Sequence, residues 1–192
     1  MIMEVVTMGQ FIFTFVDIEG LCVIEPKVFG DSRGYFFECY NYEDFKKAGI
    51  DRVFVQDNQS KSSIGVLRGL HFQKKHQQGK LVRVTKGEVF DVAVDIRKDS
   101  VTFGKWFGVV LSEKNKKEFY IPEGFAHGFL VLSEEAEFTY KCTDFYHPEF
   151  ESGIAYNDGK LAIKWPTEGI EHILLSDKDK NWKALSETNL ID

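Results

Sequence analysis

With 192 residues, a hydrophobic share of 43% and a net charge of −6, the chain is long enough to fold around its own core and lacks the basic surplus that a duplex phosphate backbone needs. Nucleic acid is therefore not an expected partner, whereas a small phosphate-bearing ligand held by a few converging Arg and Lys stays open. Three scattered cysteines, Cys22, Cys39 and Cys142, read as buried free thiols in a reducing cytoplasm, and the apolar stretch 11–16 is too short to span a bilayer, so neither a membrane segment nor a signal peptide is expected.

An aromatic share of 15%, with 18 Phe, favours a β-rich core. In chain order, runs of β-branched and aromatic residues punctuated by Gly and Asp predict strands over residues 21–29, 34–40, 53–56, 66–72, 80–85, 89–96, 106–111, 118–121, 128–132 and 137–142. Helices are expected only over 42–48 and in the tail from Asp177. Residues 89–96 alternate strictly: Phe90, Val92, Val94 and Ile96 share one face, and Val89, Asp91, Ala93 and Asp95 the other. Lys86-Gly87 reads as the turn of a hairpin joining this strand to 80–85. No repeat, linker or low-complexity tract interrupts the pattern, so residues 1–192 are read as a single all-β domain, a sandwich or barrel with a few short helices.

Three polar clusters could carry chemistry. In Arg68-Gly69-Leu70-His71-Phe72-Gln73, Arg68 and His71 would face opposite sides of a regular strand, so both can serve one cavity only if Gly69 sits at a bulge or bend. In Pro122-Glu123-Gly124-Phe125-Ala126-His127-Gly128, a Pro/Gly turn delivers a lone His to an apolar strand, where a hydrogen-bonded core histidine is the ordinary outcome. His71 and His127 have the wide separation of barrel metal ligands, yet His71-Phe72-Gln73 stands where a His-x-His pair would be needed, which argues against a first-row metal. The third cluster runs from Glu137 through Tyr140 and Tyr146 to Glu151. In Ser176-Asp177-Lys178-Asp179 the spacing fits a capping box, which alone would explain Asp179.

Taken in order, the segments Ile24–Gly34, Phe54–Asn58, Val66–Gln73, Gly79–Arg83, Gly87–Arg97, Pro122–Phe129 and Leu175–Asp179 resemble the dTDP-4-dehydrorhamnose 3,5-epimerase family over nearly the whole chain. The resemblance implies a cupin-type jelly-roll barrel, a homodimer exchanging an N-terminal strand, no metal and no organic cofactor, and a nucleotide-diphosphate sugar as substrate. It implies His71 as the catalytic base, Asp179 as its partner, Tyr140 as the acid and Lys80 beside the sugar ketone. It further places Arg33, Glu38, Gln56, Asn58, Arg68, His127, Tyr146, Glu151 and Lys178 around the nucleotide sugar, with Arg33 and Glu38 reaching across the dimer. Gln59, Phe145 and Tyr156 depart from common family residues without touching the acid or the base. Rival readings are inversion at C3 alone or ketone migration on the same scaffold, a non-catalytic sugar-nucleotide binder, and a metal-dependent oxygenase.

Overall fold

The computed structural model describes residues 4–190, and nearly all regular structure in it is strand. The strands are β1 (Glu4–Met8), β2 (Phe11–Phe15), β3 (Cys22–Pro26), β4 (Phe29–Asp31), β5 (Gly34–Phe36), β6 (Gln56–Ser63), β7 (Leu67–Gln73), β8 (Lys80–Lys86), β9 (Glu88–Asp95), β10 (Trp106–Ser112), β11 (Glu118–Ile121), β12 (Phe125–Val131), β13 (Glu135–Cys142) and β14 (Glu151–Gly153). One sheet runs β1-β2-β3-β11-β8-β13-β6 and the other β10-β9-β12-β7-β14, with β4-β5 a separate hairpin. This is the expected cupin-type jelly roll.

The two sheets face each other across an apolar interior to which Val82, Val84, Phe119 and Phe138 contribute from the first and Val89, Ala93, Phe129 and Val131 from the second. Phe129 and Phe138 stack at its centre, 4.2 Å between centroids. Alternation then sends every second residue outward, and both outer faces are covered. Val92, Val94 and Ile96 meet Leu161, Leu185 and Leu190 of the C-terminal segment, so β9 is buried on both sides, with Asp91 and Asp95 as the acids of its inner face. Leu81 and Tyr120 meet Phe11, Phe13 and Phe45. Phe45 comes from the short helix α1 (Tyr42–Lys47), where Asn41 accepts from the Glu43 and Asp44 amides, acids occupy the first turn and lysines the last.

The structure corrects four expectations. Strands 80–85 and 89–96 do not form a hairpin: β8 pairs with β11 and β13, whereas β9 pairs with β10 and β12. Gly87, at φ +76°, carries the chain from one sheet to the other, and a Cβ there would lie 2.0 Å from the Glu135 carbonyl oxygen. Residues 53–56 are not a strand, because Val53 and Val55 point to solvent; the strand is β6, which starts at Gln56. Among the described residues the tail forms no α-helix but two single 3-10 turns, Asp179–Asn181 and Leu185–Glu187, the second anchored where Asp158 accepts the Leu185 amide. Cys39 is half-buried rather than buried, with Arg83 donating to its sulfur at 2.9 Å. Among the described residues no helix is long and apolar enough to cross a membrane.

Candidate active site

The interior opens into a polar cleft lined by His71, Gln73, Gln77, Gln78, Lys80, Tyr140, Tyr146 and Glu151. A second groove of ≈ 480 Å³, lined by Arg68, His71, Leu174, Lys178 and Asp179, meets the cleft at His71. The two walls come from different sheets. Lys80 and Tyr140 follow the inward period of β8 and β13, beside Val82 and Phe138, and Asn58 of β6 pairs with Tyr140. His71 stands on β7 in the opposite sheet.

The requirement that Gly69 bend the strand is met. On β12, His127 pairs with His71 and Phe129 with Arg68, so two steps on one strand oppose three on the other. Gly69 takes φ +133°, and a Cβ on it would stand 2.6 Å from the Gly128 Cα; a Cβ on Gly128 would stand 2.6 Å from the Arg68 carbonyl oxygen. The extra residue brings Arg68 and His71 to one face.

Asp179 is 4% exposed; its carboxylate meets the His71 ring nitrogen Nε2 at 2.5 Å and accepts from the Trp182 indole at 3.1 Å, while its backbone amide donates to the Ser176 hydroxyl at 3.1 Å. Trp182 fits because Gly153, the β14 partner of His71, has no side chain; a Cβ there would meet the indole at 2.4 Å. Burial alone would raise the Asp179 carboxyl, but the His71 bond and charge, with Ser176 and Trp182, hold it below the ordinary aspartate value. Half of the capping box thus forms, while the Asp179 side chain serves His71 instead. Sequence reasoning found Asp179 and Ser176 but missed Trp182.

Burial pushes the Lys80 ammonium below the usual lysine value, against the attraction of Cys142, Asp91 and Glu151. Its Nζ lies 6.0 Å from the Tyr140 ring centroid. Burial also raises the Tyr140 phenol, helped by Cys142 and Glu151 and opposed by Arg68, so it stays protonated at neutral pH. Glu151 accepts from Lys178 on both oxygens at 2.7 Å and from the Tyr146 hydroxyl at 2.8 Å. Those bonds hold the Glu151 carboxyl down despite burial, and burial plus the Glu151 bond push the Tyr146 phenol up to about 12.

His127 is only 7% exposed and lines none of these clefts; its Nε2 lies 3.0 Å from both oxygens of Asp91, which is itself fully buried. Burial lowers the His127 imidazole, with Asp91 opposing. Asp91, conspicuous in the sequence as an acid on a face of small residues, is thus the partner of a buried histidine. Gln56 donates to Asn58 at 3.0 Å and accepts the Tyr146 amide at 3.0 Å, bracing the loop that carries Tyr146. Arg68 donates to Ser62 at 3.1 Å. Arg33 and Glu38 are not brought to the cleft of their own chain: Arg33 lies on the exposed β4–β5 hairpin paired with Asp31, and Glu38 accepts from Asn41. Another concavity of ≈ 480 Å³, lined among others by Cys39, Arg83, Glu118 and Lys141, shares Asn58 and Tyr140 with the candidate site but holds neither histidine.

Residues 16–187 match the family described as dTDP-4-dehydrorhamnose 3,5-epimerase. The chain is 54% identical to a dTDP-4-dehydrorhamnose 3,5-epimerase of Methanothermobacter thermautotrophicus, over 94% of this chain and 97% of that protein. It is 56% identical to the protein of that name from Escherichia coli K12, over 89% and 92% of the two chains. Among solved structures it is similar to dTDP-6-deoxy-D-glucose-3,5-epimerase of Legionella pneumophila, crystallised with dTDP-4-keto-L-rhamnose, at 51% identity and a TM-score of 0.89 over 98% of this chain and 95% of that one.

Proposed function

The chain belongs to the dTDP-4-dehydrorhamnose 3,5-epimerase family, and we propose that His71, Asp179, Tyr140 and Lys80 carry its reaction, the epimerisation at C3 and C5 of dTDP-4-keto-6-deoxy-D-glucose to dTDP-4-keto-L-rhamnose in dTDP-L-rhamnose biosynthesis. The observation that carries this assignment is the placement of His71 and Tyr140 on opposing sheets around one cleft. Inverting a carbon needs a base on one face and an acid on the other.

The C4 ketone acidifies the hydrogens on C3 and C5. With Asp179 ionised and accepting from Nε2, the other ring nitrogen of His71 carries the lone pair that takes each proton, leaving an imidazolium that Asp179 stabilises. The electron pair moves onto the ketone oxygen, where the Lys80 ammonium meets the developing charge, a donor of the kind typically worth about 2.7–4 kcal/mol in the transition state. Tyr140 delivers a proton to the carbon from the far wall, and solvent restores both groups. The chain's own hydrogen bonds support a metal-free route: the nitrogen of His71 nearest Asp179, the Nε2 of His127 and the amide of Gln73 are all engaged with protein partners. Arg68, Lys178, Glu151, Tyr146, Gln56 and Asn58 surround the nucleotide sugar, with His127 acting from behind through its neighbours.

The test is solvent exchange in D₂O. His71→Ala should abolish both inversion and deuterium uptake at C3 and C5, since no enolate forms. Tyr140→Phe should still exchange substrate hydrogen while inverting poorly. Wild-type exchange in His71→Ala, or normal inversion of both centres in Tyr140→Phe, would overturn the assignment.

Arg33 and Glu38 sit outside the cleft of their own chain, which supports a homodimer in which each copy lends them to the other. Mixing inactive Arg33→Ala chains with inactive His71→Ala chains should restore activity in the hybrid dimer. Mixtures that stay inactive after subunit exchange would count against the shared site.

A further inference from the structure

Two loops form part of the rim of the catalytic cleft. Residues 74–79 contribute Gln77 and Gln78, and residues 143–150 contribute Tyr146. They are tied together through amides. Gln73 donates to the His76 carbonyl at 2.5 Å and the Phe145 carbonyl at 3.2 Å and accepts the His147 amide at 2.6 Å, while Gln78 donates to the Asp144 carbonyl at 2.8 Å. The framework sets two imidazoles face to face, His76 and His147, with centroids 4.1 Å apart and planes 22° from parallel. His76 adopts φ +52° there, a left-handed conformation that a non-glycine residue seldom takes.

Asp144 Oδ2 lies 3.3 Å from His76 Nδ1, and one ligand atom from each of His76, Asp144 and His147 falls within 4.8 Å of the other two. An unprotonated imidazole offers a cation the lone pair of a ring nitrogen. Two neutral imidazoles and a carboxylate are the donor set that borderline first-row dications prefer. Tetrahedral bonds of about 2.0–2.2 Å put ligand atoms roughly 3.3 Å apart, a spacing the His76–Asp144 pair already has. The three side chains are 48%, 36% and 31% exposed, which leaves them room to rotate toward a shared ion.

We propose that His76, Asp144 and His147 form a site for one zinc-class divalent cation that cross-links the two rim loops. Glu149, whose Oε1 lies 3.2 Å from His147 Nδ1, or a water completes the coordination. None of these residues belongs to the proton relay, so the cation orders the loops carrying Gln77, Gln78 and Tyr146 and takes no part in the chemistry.

The experiment uses untagged full-length protein stripped with a chelator and titrated with Co²⁺, followed by its visible d–d bands, and with Zn²⁺ in a calorimeter. One equivalent should bind per chain with the spectrum of a nitrogen- and oxygen-ligated ion. His76→Ala and His147→Ala should each weaken binding at least about tenfold, the low end of what even an outer-shell partner contributes, and the double variant should abolish it. Affinity should fall as the medium is acidified, because protons compete with the cation for the imidazole lone pairs. The stripped variants should epimerise as the stripped wild type does. Equal affinity and stoichiometry in wild type and double variant, or no binding by wild type, would overturn the site. Neither result depends on turnover, so the epimerase assignment stands or falls separately.

Discussion

Asp179 and Glu118 are two buried carboxyl groups, 4% and 1% exposed, that hold opposite charge states at neutral pH. Asp179 sits in a tail turn with His71, Trp182 and Ser176 around it, and its carboxyl lies below the ordinary value although burial works against that. Glu118 sits in the central strand β11, where neither carboxylate oxygen has a hydrogen-bond partner, and burial pushes it up to about 8 against the pull of Arg83 and Lys141. Arg83 is its cross-strand neighbour on β8 but turns its guanidinium to Cys39. Partners, rather than depth, decide which acid is charged. A coil segment can be shaped around its carboxylate, whereas a strand residue takes the neighbours its register assigns.

The largest test of that contrast is Asp179→Asn. The amide keeps the shape but can no longer offset an imidazolium, so kcat should fall by about 10²–10³-fold with KM little changed. Near wild-type turnover would mean that the partnership is structural only. A smaller effect, on stability alone, is expected at Glu118. Its folded value of about 8 stands above the ordinary glutamate value of 4.5, so its favourable contribution is complete below 4.5 and is lost as pH rises through about 8. The loss is on the order of 3–5 kcal/mol at most, from about 1.36 kcal/mol per pH unit. Glu118→Gln removes the titration, so its melting temperature should pull ahead of wild type across that window and the gap should stop widening above it, with epimerisation unchanged. Parallel stability curves would show that Glu118 is hydrated or paired in solution. For Asp179 the sign is reversed: its contribution is present above the ordinary aspartate value and fades as pH falls through the lowered one.

What could be read from the residues followed from packing. β11 appeared with its observed ends, and β9 to within a residue, because strands buried on both faces leave short compact runs of β-branched and aromatic side chains. β6, written QDNQSKSS, left no such trace: it is the edge of its sheet and is held by backbone pairing with β13. The crossing at Lys86-Gly87 looked like a hairpin because a glycine turn between two strands has the same local chemistry whether the strands pair or part. At the site, His71, Lys80, Tyr140 and Asp179 were identifiable through their motif contexts. The Asp91–His127 pair and the Trp182 bond depend on cross-strand register and on the bare backbone of Gly153, which no local window contains. His76, Asp144 and His147 lie on two loops that only the β7–β14 end of the fold brings together.

The paired glycines at positions 69 and 128 also set limits on redesign. Because the backbones of β7 and β12 approach closely there, the spacing of the two strands beside His71 is fixed by main chain, and no side-chain library at either position can change it. Anyone reshaping the enzyme for a bulkier or differently substituted sugar therefore has to work from the rim, at Gln77, Gln78 and Tyr146, and has to replace the bonds that Gln78 and Tyr146 make to Asp144 and Glu151. An enzyme built this way can drift in what it admits while the distance between its two catalytic walls stays constant.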